Sequence, residues 1–504
     1  MIAKHRLIAT TLVFLTGCTV GPNYKRPTIA APDAYRGLAP DAASQTTASF
    51  ADEKWWAVFE DQQLQALIRK AIVQNYDVRI AATRVLQAQA SLGITRADQF
   101  PSIYGGAAAT NTGIPQTKLL TGTNTSSNVV NLSLSWELDF WGKYRRATES
   151  ARANLLATQW GQKAVIWSLV SNVASAYFQL LELDSEMEIS RRTLTSRNES
   201  LRLVRIRESG GTVSMLDVRQ SEQLVYTATA NIPSLERSIE QQENLISILL
   251  GDNPEPILRG KLLVENHFPL VVPAGLPSSL LERRPDLQAA EQQLIAANAQ
   301  IGVAKAAYFP AITLTAIAGY QSTALTSLFT GPAGLWSFGG QLAQPIFTAG
   351  KLRANVRLTE AQQQEAVLFY QQSIQQAFRE VSDSLVAYRK NQEYRAQEAL
   401  LTAAAQDAVR LANLQYNGGV TSYLEVLDSD TRYFNAEIAL AQAQLNSGWH
   451  WCSFTMRWAA VGRLSSRTRV ESEVANTEVK PADWIAALDI RVAWSIVTSE
   501  SQSR

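Results

Sequence analysis

The strongest constraint on the fold of this chain is an internal repeat, in which landmarks of the first half return about 208 residues later. The pair Gly210-Gly211 is matched by Gly418-Gly419. Three further pairs keep the same separation: Gly142 with Gly350, Val173 with Val381, and Leu216 with Leu424. Landmarks that hold one offset over most of a chain indicate duplication of a unit of about two hundred residues. We therefore expect two copies of one set of structural elements.

Composition gives no sign of an enzyme or of a nucleic-acid-binding protein. The 46 Lys and Arg residues balance 45 Asp and Glu residues, so no basic field favours nucleic acid. The 3 histidines are His5, His267 and His450. The sequence has no Gly-rich phosphate loop, no cluster with metal-ligand spacing and no nucleophile elbow. No catalytic residue, metal site or cofactor is predicted.

The amino terminus has the pattern of a secretion signal at residues 1–17. Lys4 to Arg6 precede an apolar run, and small residues then lead to Cys18, as in the bacterial lipoprotein signal. Cys18 is therefore the predicted lipid-attachment site, and an ordinary signal peptide with an incidental cysteine is the alternative. The only other cysteine is Cys452, so no disulfide framework is expected.

Helical periodicity sets the organisation of the rest of the chain. After a Pro-rich tether at 18–60, apolar spacing predicts a helix from Asp61 to Asp98. Proline-free stretches at 143–208 and 351–416 predict helices about 100 Å long. In the first, apolar residues recur every seven positions, as in a supercoiled seam: Ile166, Val173, Leu180, Met187, Leu194 and Leu201. The predicted first repeat is 61–250, and it ends with a return helix at 214–250. A linker follows at 251–277. The predicted second repeat is 278–447, and it ends with a return helix at 423–447.

One β-hairpin is predicted in each repeat, at 102–140 and 311–347. From Val130 to Phe140 every even position is apolar and every odd position is polar, which is typical of a strand with two different faces. Strands of about ten residues with aromatic residues near their ends suit a tilted membrane strand. Two small soluble hairpins with aromatic cores are the alternative, because the signal of one barrel segment is weak.

Four strands cannot close a barrel, and hydrocarbon cannot satisfy the backbone groups of an open edge. If these strands span a membrane, several copies must join. Two copies would supply eight strands and little bore, whereas three would supply twelve and an open channel. The predicted fold class is mostly α with a small β part, in which a barrel of long helices continues a trimeric twelve-stranded β-barrel.

Several motifs occur in a fixed order between about residues 15 and 447. They are Cys18 with Val20-Gly21-Pro22-Asn23-Tyr24, Trp55-Trp56, the segments 138–143 and 276–286, Pro345-Ile346-Phe347 and both Gly-Gly pairs. Together they resemble the TolC/OprM-like outer membrane factors of Gram-negative bacteria, in particular the NodT-type lipoprotein branch. The resemblance implies a homotrimeric duct in outer membrane lipid, docked to a periplasmic adaptor and an inner membrane proton-driven pump, which passively exports drugs or other small molecules. The duct of a type I protein secretion system is the close alternative, and a trimeric lipoprotein adhesin or scaffold is the alternative from another class.

The resemblance also assigns roles at the tips of the helices. Leu424 matches an apolar plug, and Glu425 and Asp428 match carboxylates that line the periplasmic constriction. Three copies of each acid around one axis would repel one another and attract cations. Without the resemblance, complementing the helix dipole explains acids at a helix start better. The expected adaptor-docking residues are Gly210, Gly211, Leu216, Asp217, Gly418 and Gly419.

Two positions depart from the family pattern. Thr421 stands where some members have an arginine that ties the closed state, so the way in which this chain closes stays open. Gln220 stands in the first repeat where Asp428 stands in the second. A ring of acids would therefore be built unequally from the two repeats.

The sequence changes character in the tail at 448–504, which contains five of the 12 tryptophans. Members of the resembled family instead end this helix with an apolar run that finishes Ala-Leu-Gly-Gly-Gly-Trp. Codons permitted for Trp449 to Gly462, read from their third base, can spell such an ending. Our hypothesis is a reading-frame shift near codon 448, with a genuine divergent extension as the alternative. Coding DNA that cannot spell the family ending would exclude the shift.

Overall fold

The computed structural model describes residues 19–28, 59, 61–114, 123–265 and 281–458. The first half contains helices α1 (Gln62–Gln74) and α2 (Tyr76–Ala97), strands β1 (Ser102–Ile114) and β2 (Thr123–Glu137), and helices α3 (Lys143–Ser209) and α4 (Met215–Leu250). The second half contains helix α5 (Pro285–Ala306), strands β3 (Ala311–Ser322) and β4 (Gly334–Ala343), and helices α6 (Lys351–Asn417) and α7 (Tyr423–Trp458). Cys18, the signal at 1–17, His267 and residues 459–504 lie outside the described residues.

Three helices of the first half match three helices of the second half in length. Helices α3 and α6 each contain 67 residues, α4 and α7 each contain 36, and α2 and α5 each contain 22. Both long helices start after a glycine in the left-handed region, Gly142 at φ 79° and Gly350 at φ 83°. Such angles are open to glycine at little cost, which explains why these landmarks recur. The structure is a duplicated unit, as the sequence predicts.

The heptad seam of α3 faces other helices. Val173 and Leu180 are fully buried, and Met187 and Leu201 are nearly so. Helix α3 packs against α2, α4, α5 and α7, so it is the central helix of the chain. By length and composition α3 could also cross a membrane, but half of its most apolar window is buried inside the protein. Packing against other helices accounts for the buried half of that window.

The segment predicted as one helix from Asp61 to Asp98 is two helices, which is a correction to the sequence analysis. Asn75 ends α1, and its side-chain oxygen then caps α2 by accepting the backbone N–H groups of Asp77 at 2.8 Å and Val78 at 3.2 Å. The Asn75 amide also donates to the Leu249 carbonyl at 3.0 Å, which fixes the break against the end of α4. Asparagine is favoured at such caps because its side chain replaces a missing helical acceptor.

The four strands form one antiparallel sheet in the order β1-β2-β3-β4. Its register aligns residues of like polarity across all four strands. One row of paired residues is Ile103, Leu134, Ala316 and Phe338, and the adjacent row is Ser102, Ser135, Thr315 and Gly339. Since successive side chains point to opposite faces, the sheet has an apolar face and a more polar face. Tyr104 and Ile317 interrupt the polar face.

Two strands end earlier than their alternating sequences suggest. β2 ends at Glu137 rather than Phe140, because Asp139 turns inward and accepts the backbone N–H of Arg145 at 2.9 Å. β4 ends at Ala343 rather than Phe347, because Pro345 has no N–H to continue the ladder. The alternation of apolar and polar residues does not reveal these contacts at the strand ends.

Candidate channel gate at the helical tips

The tips of both repeats pack into one four-helix cluster. Its buried apolar side chains come from α3, α4, α6 and α7: Leu201, Val204, Val218, Val225, Ala412, Tyr423, Val426 and Leu427. Since every one of the four helices contributes, the two tips are a single packed unit rather than two separate hairpins.

Each tip reverses the chain through a Gly-Gly turn of the same geometry. Gly211 has φ 72° and Gly419 has φ 73°, and both follow the last residue of a long helix by two positions. The Thr212 N–H donates to the Arg207 carbonyl and the Val420 N–H donates to the Gln415 carbonyl, each at 2.9 Å. These bonds satisfy carbonyls that the helix end leaves free.

Helix α7 presents the predicted gate residues on its exposed face. Tyr423 and Val426 are buried in the tip cluster, whereas Leu424 is 60% exposed and Glu425 and Asp428 are also exposed. The Asp428 carboxylate is paired with the Arg432 guanidinium at 2.7 Å. In the described part of the chain Glu425 has no ion pair. The structure thus brings the three predicted residues together, with different charge environments for the two acids.

The predicted docking residues are likewise at the surface. Leu216 is 65% exposed and matches the exposed Leu424 of the second repeat. Asp217 is engaged in a capping box, in which its carboxylate accepts from the Ser214 N–H at 2.9 Å and the Ser214 hydroxyl at 2.8 Å. The four tip glycines are exposed. Asp217 therefore stabilises the start of α4, whatever else it contacts.

Two ion-pair clusters behind the tips were not found from the sequence. The Arg197 guanidinium, whose side chain is 5% exposed, binds the Asp430 carboxylate at 2.8 Å and the Leu224 carbonyl at 3.2 Å. Arg205 and Arg219 both bind Glu222, and their hydrogen bonds lower the pKa of the Glu222 carboxyl. No local pattern could reveal Arg197, since its partner lies 233 residues away.

The turn regions of the two repeats also contact each other directly. The Arg207 guanidinium donates to the Asn417 side-chain oxygen at 2.8 Å and lies 4.8 Å from the centre of the Tyr416 ring. The Ser221 hydroxyl donates to the Tyr423 hydroxyl at 2.9 Å. Burial raises the pKa of Tyr423, so its phenol is protonated at neutral pH and its oxygen is a neutral acceptor. Both contacts cross from one repeat to the other.

Across the described ranges there is no group of three or more His, Cys, Asp and Glu side chains placed to hold a metal ion. The tips present the exposed leucines Leu216 and Leu424 and the exposed acids Glu425 and Asp428 on the surface of the packed four-helix cluster. Such a surface can line or block an aperture.

Comparison with known proteins identifies the family. The family model for outer membrane efflux proteins matches residues 67–252 and 276–447. The chain belongs to the outer membrane efflux protein family. The match ends at residue 447, where the composition of the chain changes.

Relatives and solved structures agree with this assignment over most of the chain. It is 38% identical to the solvent efflux pump outer membrane protein SrpC of Pseudomonas putida, over 86% of this chain and 93% of that protein. It is 34% identical to the cation efflux system protein CusC of Escherichia coli K12, over 83% and 91%. A structure of CusC superposes with a TM-score of 0.80 at 31% identity, covering 88% of this chain and 100% of that one. The open-state MtrE channel of Neisseria gonorrhoeae gives 0.80 at 30% identity, covering 88% and 98%.

Membership decides between the classes left open by the sequence. This outer membrane efflux protein is a channel of an efflux system in the outer membrane, and the family is not one of enzymes. The adhesin or scaffold alternative is therefore set aside. The predicted fold class, with long helices continuing a small four-stranded sheet, is confirmed.

Proposed function

We propose that three copies of this outer membrane efflux protein form the exit duct of a tripartite exporter for organic small molecules. Each copy would supply four strands to a twelve-stranded barrel and its long helices to a periplasmic tube. An adaptor would dock at the tips, and an inner membrane pump would drive transport. The duct itself is passive.

The observation that carries this proposal is a membrane-sized sheet with two open edges. β1 pairs only with β2, and β4 pairs only with β3, within the described sheet. Unpaired backbone groups at both edges could not be satisfied in lipid, so a spanning sheet of this kind must be closed by neighbouring subunits. The strands contain 10 to 15 residues, and a tilted membrane strand needs about 9–11.

The two faces of the sheet fit lipid and water respectively. On the apolar face, Trp336 is 75% exposed and Phe338 is 80% exposed in the single chain. Exposed aromatic side chains in such number are unfavourable in water and favourable against acyl chains. The opposite face carries Ser102, Ser135 and Thr315, which suit a water-filled lumen. Interior water requires more than the eight strands that two copies would give.

Anchoring by lipid on Cys18 is part of the proposal. Cys18 follows a short apolar run and small residues, and it directly precedes Thr19, the first described residue. One acylated end gives an attachment that the barrel would make permanent. Cys18→Ala would abolish incorporation of labelled palmitate, and continued incorporation would remove this part of the proposal.

At the periplasmic end, we assign Leu424 to an apolar plug and Glu425 with Asp428 to an anionic constriction. Support comes from their joint exposure on one face of α7, directly above the packed tip cluster. The Gly-Gly turns, with Leu216 beside them, form the outermost points of the tips and are assigned to adaptor docking. Leu216, exposed in the first turn of α4, suits insertion between the helices of a partner.

Organic compounds are favoured over metal ions as cargo. The identity to the solvent pump protein SrpC is 38%, against 34% to the cation system protein CusC. Only Met187 and Met215 are present in the described residues up to 447, and soft metals such as Cu(I) are usually handled by thioether and thiolate ligands. Deletion of the gene should increase susceptibility to organic solvents and drugs more than to copper.

The direct test is single-channel recording of the purified protein in planar bilayers, with mass measurement in mild detergent. We expect a trimer with cation-sensitive conductance. A stable monomer that forms no pore would overturn the proposal. Failure of the deletion strain to become drug-sensitive, together with loss of secretion of one protein, would instead favour the type I secretion alternative.

A further inference from the structure

The two repeats contain the same helices but leave different helix faces open in the single chain. Helix α3 corresponds to α6, and α4 corresponds to α7. Helix α7 packs along α3 as well as along α6. Within the described residues, α4 and α6 share no such extended contact. One face of α4 and one face of α6 therefore lack the partner that the repeat leads us to expect.

We propose that α4 packs on α6 of a second copy of this chain, and that the tips separate at this seam between subunits when the duct opens. The rotation that carries the first repeat onto the second also carries the contact of α3 with α7 onto α6 and the next α4. Three copies contain six repeats, so the ring closes and every such face is covered. Because it needs a ring of subunits, this seam rests on the function proposed above.

The faces that meet at this seam are more exposed than their counterparts inside the chain. Thr193 of α3 is 8% exposed, but Leu401 at the matching position of α6 is 54% exposed. The Phe434 ring of α7 lies 5.2 Å from the Arg197 guanidinium, whereas the matching Tyr226 of α4 is 64% exposed. Two exposed faces, each matching a covered face of the other repeat, indicate contact with another copy.

A groove of about 530 Å³ follows the open face of α4, and it is lined by Arg219, Glu222, Gln223, Tyr226, Thr227 and Ala230. At the matching place on α7, the Arg197 side chain of α3 covers the Phe434 ring. The α6 residue that matches Arg197 is Ala405, and Leu401 precedes it by one helical turn. The small and aliphatic side chains of α6 suit the aromatic wall of the groove. The groove is therefore half of a site that a second subunit completes.

Charged and polar pairs hold the seam inside each chain. Three pairs join α3 to α7: Arg197 with Asp430 at 2.8 Å, Arg192 with Glu437, and Glu186 with Gln442 at 2.9 Å. The Arg197 side chain is only 5% exposed. Separating a buried guanidinium from its carboxylate is costly, because the charge is left without a partner. The two tips of one chain are therefore fastened to each other.

The seam between subunits lacks these three pairs. The matching positions combine a residue of α6 with one of α4 in the partner subunit: Ala405 with Glu222, Leu400 with Thr229, and Tyr394 with Ser234. None of the three combinations brings opposite charges together. Glu222 is already bound within its own chain, by Arg205 at 2.8 Å and Arg219 at 2.7 Å. Since apolar contact is non-directional, this seam can part at lower cost than the seam inside the chain.

Each chain then moves its two tips as one unit. The tip cluster contains side chains of α3, α4, α6 and α7, and the Ser221 hydroxyl donates to the Tyr423 hydroxyl across the repeats. Opening separates three four-helix units at three seams, instead of six helical hairpins at six seams. Leu424 and Glu425 are carried outward by the unit to which they belong.

Cross-linking at matched positions of the two seams tests this in the full-length protein, in a Cys452→Ser background. Thr229→Cys with Leu400→Cys places one thiol on each side of the seam between subunits. Arg192→Cys with Glu437→Cys is the repeat-matched pair inside the chain. A reducible bismaleimide links each pair, and the single-cysteine variants measure background reaction. We expect covalent trimers on denaturing gels from the first pair only.

Single-channel recording then measures opening. Linking Thr229→Cys to Leu400→Cys should lower the frequency of large-conductance openings at least about tenfold, and reduction should restore it. Linking Arg192→Cys to Glu437→Cys should leave opening at the level of the unlinked variant. A trimeric pore that gives no covalent oligomer from the first pair overturns the inference alone, as does loss of opening on linking the second pair. A wild-type protein that is monomeric and forms no pore overturns the proposed function as well.

Charge variants test the same seam without a cross-linker. Thr229→Glu with Leu400→Arg copies the Arg192–Glu437 pair onto the seam between subunits, and Thr229→Lys with Leu400→Arg is the like-charge control. We expect opening about fivefold less frequent in the first variant, because an ion pair is added at each of three seams, and more frequent in the control. Both differences should shrink at high salt. A change of the same sign in the two variants would overturn the inference.

Discussion

Ser221 of α4 and Tyr423 of α7 join the return helices of the two repeats through their hydroxyl groups, 2.9 Å apart in the tip cluster. Ser221 is 3% exposed and Tyr423 is 6% exposed, so water cannot readily replace either partner. The Tyr423 ring also lies 5.1 Å from the Tyr416 ring, centre to centre. This hydrogen bond links the first turns of α4 and α7 directly. It would have to break if the tips of the two repeats moved apart.

Tyr423→Phe keeps the ring and removes the hydroxyl. We expect a local loss of about 1–3 kcal/mol, because the buried Ser221 hydroxyl loses its acceptor. Hydrogen exchange of peptides from the start of α7 should become faster, with little change in the middle of α3. The double variant with Ser221→Ala should be closer to wild type than the single variant. Unchanged exchange in Tyr423→Phe would mean that the hydrogen bond does not restrain the tips.

Glu425 and Asp428 should differ in their effect on cation block. Asp428 is paired with Arg432 at 2.7 Å, whereas Glu425 has no ion pair among the described residues. Glu425→Ala should therefore weaken block by divalent cations more than Asp428→Ala does, because its charge is not offset. Conductance in planar bilayers with added Mg²⁺ measures this. Arg432→Ala is the control, and it should strengthen block. Equal effects of the two acids would contradict the ranking.

The Arg197–Asp430 pair should couple the tips energetically. Arg197 is nearly buried and Asp430 is 21% exposed, so Asp430→Asn leaves a guanidinium without its carboxylate. We expect a loss of about 3–5 kcal/mol for this change, typical of breaking a buried pair. A double-mutant cycle with Arg197→Met, followed by denaturant titration, isolates the pair. The exposed pair Arg202–Glu199 is the control and should give under about 1 kcal/mol. Additive effects at Arg197 and Asp430 would exclude coupling.

Glu182 should make stability fall as the pH rises. Burial, followed by the hydrogen bond and charge of Glu186, raises the pKa of the Glu182 carboxyl to about 8. Between the unfolded value near 4.5 and about 8, the folded state binds more protons than the unfolded state, so rising pH favours unfolding. The slope should be at most about 1.4 kcal/mol per pH unit and should level off above the folded pKa.

Glu182→Gln removes this dependence and should raise the melting temperature at pH 7.5 while changing it little at pH 4.5, near the unfolded pKa. Melting temperatures across this range in detergent measure the effect. Glu188→Gln, at an exposed position of the same helix, is the matched control and should leave the profile unchanged. A wild-type profile that is flat between these limits would show that Glu182 is not held neutral in the folded protein.

Sequence patterns predicted what depends on neighbours along the chain. The turns at Gly211 and Gly419 follow from the need for a left-handed residue after a long helix, and α3 and α6 follow from unbroken periodicity. The faces of the sheet follow from alternation at Val130 to Phe140. The sequence analysis missed the break at Asn75, although an asparagine two residues before an aspartate is a helix-start signal.

Contacts between distant residues could not be read in the same way. Arg146 meets Asn23 across 123 residues, and Arg197 meets Asp430 across 233. An arginine on a long helix carries no local sign of whether it faces water or a partner. The duplication made this harder, because Arg146, which binds Val20, Gly21 and Asn23, is matched by Ala354 in the second repeat.

The equal length of the two long helices has an evolutionary consequence. Both run for 67 residues from equivalent glycines, so their turns reach the same height and present one level surface. Inserting a single helical turn in one of them would raise its end by about 5.4 Å relative to the other. For an adaptor docked on the tips as proposed above, both halves of the duct must therefore change in length together, because lengthening one half alone would leave the adaptor in contact with only every second tip.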